Sequence, residues 1–218
     1  MFVKYKMTTN PFTISPDNTV PDAHEIMTQN GIRRLPVVKN GKLVGVVSRE
    51  DIERYSPSKA TSLSMGEITY LLSKTKIKQI MTKNPITISP DALLEEAAIL
   101  MRDNKVGFLP VIENDKLVGI ITESDIFDSF IELLGFREFG TRLTIEADDE
   151  PGMMAKLTSI FGMYGANITR VAVYRGNSGK SDIVVGINSL NTADIEKAIE
   201  EHGFRIRHKL QNKSNKSI

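Results

Sequence analysis

The chain has 218 residues, 40% of them hydrophobic and 25% charged, with a formal net charge of +1. That size and balance suit one or two soluble globular domains, and they argue against a whole-chain pull toward nucleic acid or an acidic membrane. Cysteine is absent, which excludes disulfides, thiolate chemistry and Cys-ligated zinc and fits a reducing cytoplasm. No apolar run approaches the roughly 18 residues that cross a bilayer. The opening MFVKYKMTTNP has no hydrophobic export core, so neither export nor a membrane partner is expected.

The chain repeats itself. Residues 7–55 return 74 positions later as residues 81–129, without a gap, and 22 of the 49 pairs are identical. MTTNPFTISPD answers MTKNPITISPD, and LPVVKNGKLVGVVSREDI answers LPVIENDKLVGIITESDI. A duplication this clean means one structural unit used twice, each copy covering a half-buried face of the other.

Each copy reads as β-α-β-β-α. A short strand (Phe12 to Ile14; Ile86 to Ile88) runs into Ser-Pro-Asp, a helix-start signal. Apolar residues then fall at helical spacing: Val20, Ala23 and Met27, then Leu94, Ala97 and Met101. Asn30-Gly31 and Asn104-Lys105 break the helices. Two strands joined by a tight turn follow: Leu35 to Val38 and Leu43 to Val47 about Asn40-Gly41, and Leu109 to Ile112 and Leu117 to Ile121 about Asn114-Asp115. A last helix opens at Ser48 or Thr122. Residues 57–76 form a linker, polar at first and amphipathic from Gly66 to Lys74, with Ile68, Leu71 and Leu72 on one side. This divides the first part into copies at 1–56 and 77–135.

The pattern then changes. Thr141 to Ala147 alternates as a strand, 148–152 is a loop, and Met154 to Tyr164 is a helix ending at Gly165-Ala-Asn. Ile168 to Tyr174 and Asp182 to Ile187 are strands, Thr192 to His202 is a helix, and Phe204 to His208 closes. Residues 140–209 therefore read as β-α-β-β-α-β, the split βαβ plan, with a polar tail over 210–218. The whole is an α+β fold.

Ser48-Arg-Glu-Asp51 and Thr122-Glu-Ser-Asp125 open the last helix of each copy. Their plainer reading is a capping box, which needs no ligand. Their functional reading is a grip on a sugar: a carboxylate only accepts hydrogen bonds and can take two vicinal ribose hydroxyls, with the neighbouring hydroxyl side chain adding a third contact. Both hold if the cap faces a cleft. Arg33 and Arg34, just before a strand, can reach a phosphate or stand as solvated edge charges. In the second copy those positions are Gly107 and Phe108, and Glu123 replaces Arg49. The first copy thus reads as more welcoming to phosphate and the second to a flat apolar ring.

These repeats resemble a tandem pair of CBS domains, a Bateman module, over roughly residues 1–135. The resemblance implies that an adenosine nucleotide (AMP, ADP or ATP) binds between the copies as a regulatory ligand rather than a required cofactor. It implies that Asp51 and Asp125 hold ribose with help from Ser48, Thr122 and Ser124. Thr13, Thr87 and the backbone at Ile32 and Val106 would frame adenine, and Arg33 and Arg34 would meet phosphate. The C-terminal part resembles an ACT domain, on Asp149-Glu-Pro-Gly152, Leu157 and Gly165-Ala-Asn-Ile168. That likeness implies pairing and an amino-acid ligand at Asp149, Gly152 and Asn167. The plainer reading of Gly152 and Asn167 is close packing and a turn.

Other signals fail. Gly176 to Ser181 looks like the end of a phosphate loop, but Tyr174 stands where glycine is needed and a strand follows. His24, His202 and His208 are scattered without ligand spacing, the methionines suit core packing, and no nucleophile–base set is visible. The expectation is a cytoplasmic, non-enzymatic nucleotide sensor, a homodimer acting on a regulated partner protein, with no metal and no nucleic-acid partner. The alternative is a ligand-free dimerisation scaffold for a partner enzyme.

Overall fold

The computed structural model describes residues 1–55, 64–176 and 179–213. Most of the polar half of the expected linker, two residues of the 176–181 turn and the last five residues of the tail lie outside that set. The chain divides into two compact units, Met1–Ile126 and Phe127–Ile218.

In the first unit, a 3-10 turn (Val3–Tyr5) leads into β1 (Thr8–Thr9), α1 (Val20–Gln29), β2 (Arg34–Lys39), β3 (Lys42–Ser48) and α2 (Arg49–Tyr55). Then come α3 (Met65–Lys74), α4 (Ile77–Ile80), β4 (Thr82–Lys83), α5 (Leu94–Asn104), β5 (Phe108–Glu113), β6 (Lys116–Thr122) and α6 (Glu123–Leu133), whose last turns belong to the second unit. Local chemistry sets the bounds. Thr19 and Asp22 close a capping box at the start of α1, and Gly31 at φ 64° ends it. The β2–β3 turn has Asn40 and Gly41 at φ 52° and 76°, and the β5–β6 turn has Asn114 and Asp115 at 49° and 62°, both hairpin-type pairs.

The two copies trade their leading segments. β1 pairs with β6 of the second copy, and β4 pairs with β3 of the first, giving sheets β1-β6-β5 and β2-β3-β4. Val3 is fully buried in the second copy's core with Ile88, Leu94, Leu109 and Ile121, and Ile77 is fully buried in the first copy's core with Val20, Leu35 and Val47. The hydrogen bonds follow the same symmetry. Val3 N–H donates to the Ala92 carbonyl and Lys4 N–H to that of Pro90, both at 2.9 Å. Ile77 N–H donates to Asn18 at 2.9 Å and Lys78 N–H to Pro16 at 3.0 Å. Gly45 and Gly119 permit the crossings: a Cβ there would meet a methionine sulfur and a backbone carbonyl oxygen of the crossing segment, each at 2.8 Å.

This arrangement corrects one expectation. Phe12 to Ile14 and Ile86 to Ile88 are not strands; only Ile14 and Ile88 make single parallel bridges, to Val37 and Val111. Asn10 and Asn84 sit at φ 51° and 49°, and Pro11 and Pro85 have no N–H to donate, so a ladder cannot extend.

The second unit is β7 (Gly140–Asp148), α7 (Met153–Met163), β8 (Ile168–Arg175), β9 (Lys180–Ile187), α8 (Ala193–Glu201) and β10 (Arg205–Asn212), with antiparallel sheet order β10-β7-β9-β8. That is the split βαβ plan. The core joins Leu143, Ile145, Ile183 and Val185 of the sheet to Leu157, Ile160 and Phe161 of α7 and to Ile195 and Ile199 of α8. The last strand runs four residues past His208, because Lys209 to Asn212 keep pairing with Gly140 to Leu143.

On the sheet's other face Glu146 is only 8% exposed. Its carboxylate accepts from Arg207 and, at 3.3 Å, from Lys180. The Arg207 hydrogen bond is the main reason its carboxyl lies below the ordinary 4.5; burial opposes, and Lys180 helps. A carboxyl lowered in the folded state contributes stability above its unfolded pKa and loses it as pH falls. Acid unfolding of this unit, followed by circular dichroism below about pH 4.5, should therefore begin earlier in the wild type than the loss of its other carboxylates alone would give. Glu146→Gln is expected to be less stable at pH 7 and to flatten that acid limb; an unchanged acid limb would remove Glu146 from the cause.

Candidate functional site

Both Ser/Thr-x-x-Asp motifs cap their helices. Asp51 Oδ2 accepts from the Ser48 backbone N–H at 2.9 Å and from its hydroxyl at 2.7 Å, while Asp51 N–H donates to Ser48 Oγ at 3.1 Å. Asp125 Oδ2 accepts from the Thr122 N–H and hydroxyl, each at 2.7 Å, and returns its N–H to Thr122 Oγ1 at 3.4 Å. The plainer reading of these residues is thus realised. Each cap nevertheless faces a cleft.

The first cleft, a cavity of about 450 Å³, runs between residues 8–12 and 31–34 of the first copy and Thr122 to Asp125 of the second. The second, about 330 Å³, runs between Asn84 to Ile86 and Lys105 to Phe108 of the second copy and Ser48, Glu50 and Asp51 of the first. The two are related by the 74-residue repeat: Phe12 answers Ile86, Gly31 answers Lys105, Ser124 answers Glu50 and Asp125 answers Asp51. Each therefore combines a turn from one copy with a capped helix start from the other, a direct result of how the copies trade segments.

That geometry sorts the expected residues. Ile32, Arg33, Thr122, Ser124 and Asp125 line the first cleft, Ser48, Asp51 and Val106 line the second, and Arg34 lines both. Thr13 and Thr87 line neither and are exposed. Basic and carboxylate side chains are also crossed between copies. Arg33 shares a cleft with Asp125, not with Asp51 of its own copy. Residues missed in the sequence include Phe12, Ile86, Asn10, Asn84, Glu50 and Lys105. The repeat alignment held the signal, since most of them are matched pairs. Lys105 is the outlier: it holds a left-handed conformation, φ 55°, where the first copy has glycine. A non-glycine residue in that region costs about 1–2 kcal/mol, and such strain concentrates at ligand clamps.

Both clefts are lined by two cations and two carboxylates, but different ones: Arg33, Arg34, Glu123 and Asp125 in the first, Arg34, Lys105, Glu50 and Asp51 in the second. Glu50 stands in the second where the first has Ser124. Its own backbone N–H holds its carboxyl below the usual 4.5; burial opposes, and the Ser48 hydroxyl and the charges of Arg34 and Arg33 add to the lowering. In the second unit, Asp149 Oδ2 accepts from Arg175 Nε at 3.2 Å. Gly152 sits at φ 87° just before α7, and the Asn167 carbonyl accepts from Asn188 N–H at 3.4 Å. Among the described residues no group of three or more His, Cys, Asp or Glu could hold a metal ion. No described helix is long and apolar enough to cross a membrane.

Paired β-α-β-β-α copies with capped clefts are thus followed by a split βαβ unit. The CBS domain family profile matches residues 3–58 and 77–132, and the ACT domain profile matches residues 141–204. The chain belongs to the CBS domain family and carries a C-terminal ACT domain.

Among solved structures it is similar to a Vibrio cholerae protein assigned as an acetoin utilization protein, AcuB. The identity is 35% and the TM-score 0.52, over 63% of this chain and 96% of that one. The CBS pair of protein MJ0100, in complex with 5′-methylthioadenosine and S-adenosyl-L-methionine, is 29% identical at TM-score 0.50, covering 60% and 95%. CBSX2 from Arabidopsis thaliana, in complex with AMP, is 30% identical at TM-score 0.50, covering 60% and 96%. An inosine-5′-monophosphate dehydrogenase of Korarchaeum cryptofilum is 30% identical over 167 residues; the chain spans 76% of itself there but only 32% of that enzyme.

Proposed function

We propose that the chain is a non-catalytic regulatory protein that senses adenosine-type nucleotides in the clefts between its CBS copies. AMP, ADP or ATP would bind with ribose on Asp51 or Asp125 and phosphate toward Arg33 and Arg34, in a cytoplasmic homodimer that reports occupancy to a partner protein. The observation that carries this reading is the pairing of a capped carboxylate from one copy with an open turn from the other, twice, beside cavities of about 450 and 330 Å³. The relatives solved with AMP or with S-adenosyl compounds support the ligand class. The likeness to AcuB supports a role in acetoin utilization. That likeness takes in 63% of this chain and 96% of the neighbour; the linker stretch from Ala60 to Ser73 that suggested it in the sequence has Ala60 to Leu63 outside the described residues. An amino acid at Asp149, Gly152 and Asn167 is the matching proposal for the ACT domain. The match to the enzyme relative takes in only 32% of that enzyme's length, too little to carry its catalysis over to this chain.

The test is a thermal melt of the full chain with AMP, ADP, ATP or S-adenosyl-L-methionine. A ligand at about 100 times its Kd stabilises by about 2.7 kcal/mol, a rise of several degrees. If none of these compounds moves the melt and none co-purifies, the reading fails. The dimerisation scaffold is then favoured, since the carboxylates already serve as caps.

A further inference from the structure

Arg34 stands in the wall of both clefts, and so does Gly107. The Arg34 guanidinium lies over the Phe108 ring, with Cζ 5.5 Å from the ring centroid. A Cβ on Gly107 would meet Arg34 Nη2 at 2.6 Å and Glu123 Oε2 at 3.0 Å. Glycine at this position is what lets the side chain of the first copy pass over the second. The repeat makes the device one-sided. At the positions of Arg33 and Arg34 the second copy has Gly107 and Phe108, so no counterpart arginine serves the second cleft.

We propose that Arg34 couples the two clefts, so that a 5′-phosphorylated nucleoside in the first draws the guanidinium off Phe108 and leaves the second to an adenosine compound without a phosphate. This rests on the reading of both clefts as adenosine sites.

The chemistry follows from sharing one group. A guanidinium fork satisfies one phosphate bidentately at a time. Once Arg34 turns to a phosphate in the first cleft, the charged groups left lining the second are Glu50, Asp51 and Lys105. Two carboxylates against one exposed lysine repel a second phosphate. Glu50 stays ionised, since its carboxyl already lies below the ordinary range. Phe108 is 8% exposed with the guanidinium over it. Uncovered, it offers a flat apolar face on which adenine can stack. An uncharged ligand therefore gains from occupancy of the first cleft, and a charged one loses. By linkage each ligand feels the same factor.

Isothermal titration of the full chain with AMP and adenosine tests this. In the wild type one AMP is expected to bind with an affinity that Asp125→Asn weakens, and a second AMP at least about tenfold more weakly. Adenosine is expected to bind in a way that Asp51→Asn weakens, and about five- to tenfold more tightly once AMP is present. In Arg34→Met the AMP affinity should fall and the dependence of adenosine on AMP should vanish; Phe108→Leu should reduce that dependence while leaving the first AMP site in place. Two equal AMP sites, adenosine binding indifferent to AMP, or a dependence that survives Arg34→Met would each overturn the coupling alone. Failure of both AMP and adenosine to bind would overturn the adenosine reading of the clefts and the coupling with it.

Discussion

With AMP near 100 times its wild-type Kd, the chain carrying Asp51→Ala and Asp125→Ala is expected to lose between about half and about nine-tenths of the ligand-induced rise in melting temperature. A hydrogen bond to a charged group contributes about 1.5–3 kcal/mol, so losing the acceptor in each cleft should weaken binding between about tenfold and about 150-fold. The same residues cap α2 and α6, so the alanine chain should also melt lower without ligand, by the roughly 0.5–2 kcal/mol that a lost cap costs. The asparagine pair separates the two roles. An amide oxygen can still accept from the Ser48 and Thr122 N–H groups, so the ligand-free melt should stay near the wild type while most of the ligand-induced rise disappears. A double-alanine chain that keeps the whole rise would leave these carboxylates as caps and nothing more.

The second large effect is expected at Gly140. It opens β7 at φ 126°, and a Cβ there would collide with the carbonyl oxygen of Ile187 on the neighbouring strand β9. Neither party is a flexible side-chain end, so the strands must part or the backbone must change. Gly140→Ala should cost more than about 4 kcal/mol, the range reserved for a named structural fault, and should unfold Phe127–Ile218 at a lower temperature than Met1–Ile126. Gly203→Ala is the comparison. It too has a positive φ, 86°, but open space around it, so its cost should stay near the 1–2 kcal/mol of the conformation alone. Two-step melts by calorimetry would read both; equal effects would mean that the contact with Ile187 is not what constrains Gly140.

Much of the fold was written in local pattern. The Asn40-Gly41 and Asn114-Asp115 turns, the helical spacing of Val20, Ala23 and Met27, and the alternation of Thr141 to Ala147 all became the elements they imply. These signals are short-range, so sequence carries them. Phe12 to Ile14 misled because β-branched residues raise strand propensity, while the neighbouring asparagine and proline, which decide the backbone, leave only one bridge. The traded segments were invisible for a different reason. Val3 and Ile77 bury equally well in either copy as far as composition goes; only the path of the chain decides which core receives them. The site suffered the same way. Its residue types could be read in each copy, but the partition into clefts depends on pairings between positions far apart in sequence, such as Arg33 with Asp125.

The traded segments carry one more consequence. A polypeptide holding a single copy would lack the piece that fills its own interior, and it could acquire that piece only from another such polypeptide. Two lone copies meeting would rebuild both cores and both clefts, so a half-length ancestor of this unit would have been a self-completing pair. Joining the halves in one chain replaces that encounter with a tethered one at a high effective concentration. It also frees the halves to diverge, which is how a single arginine could come to serve two pockets unequally.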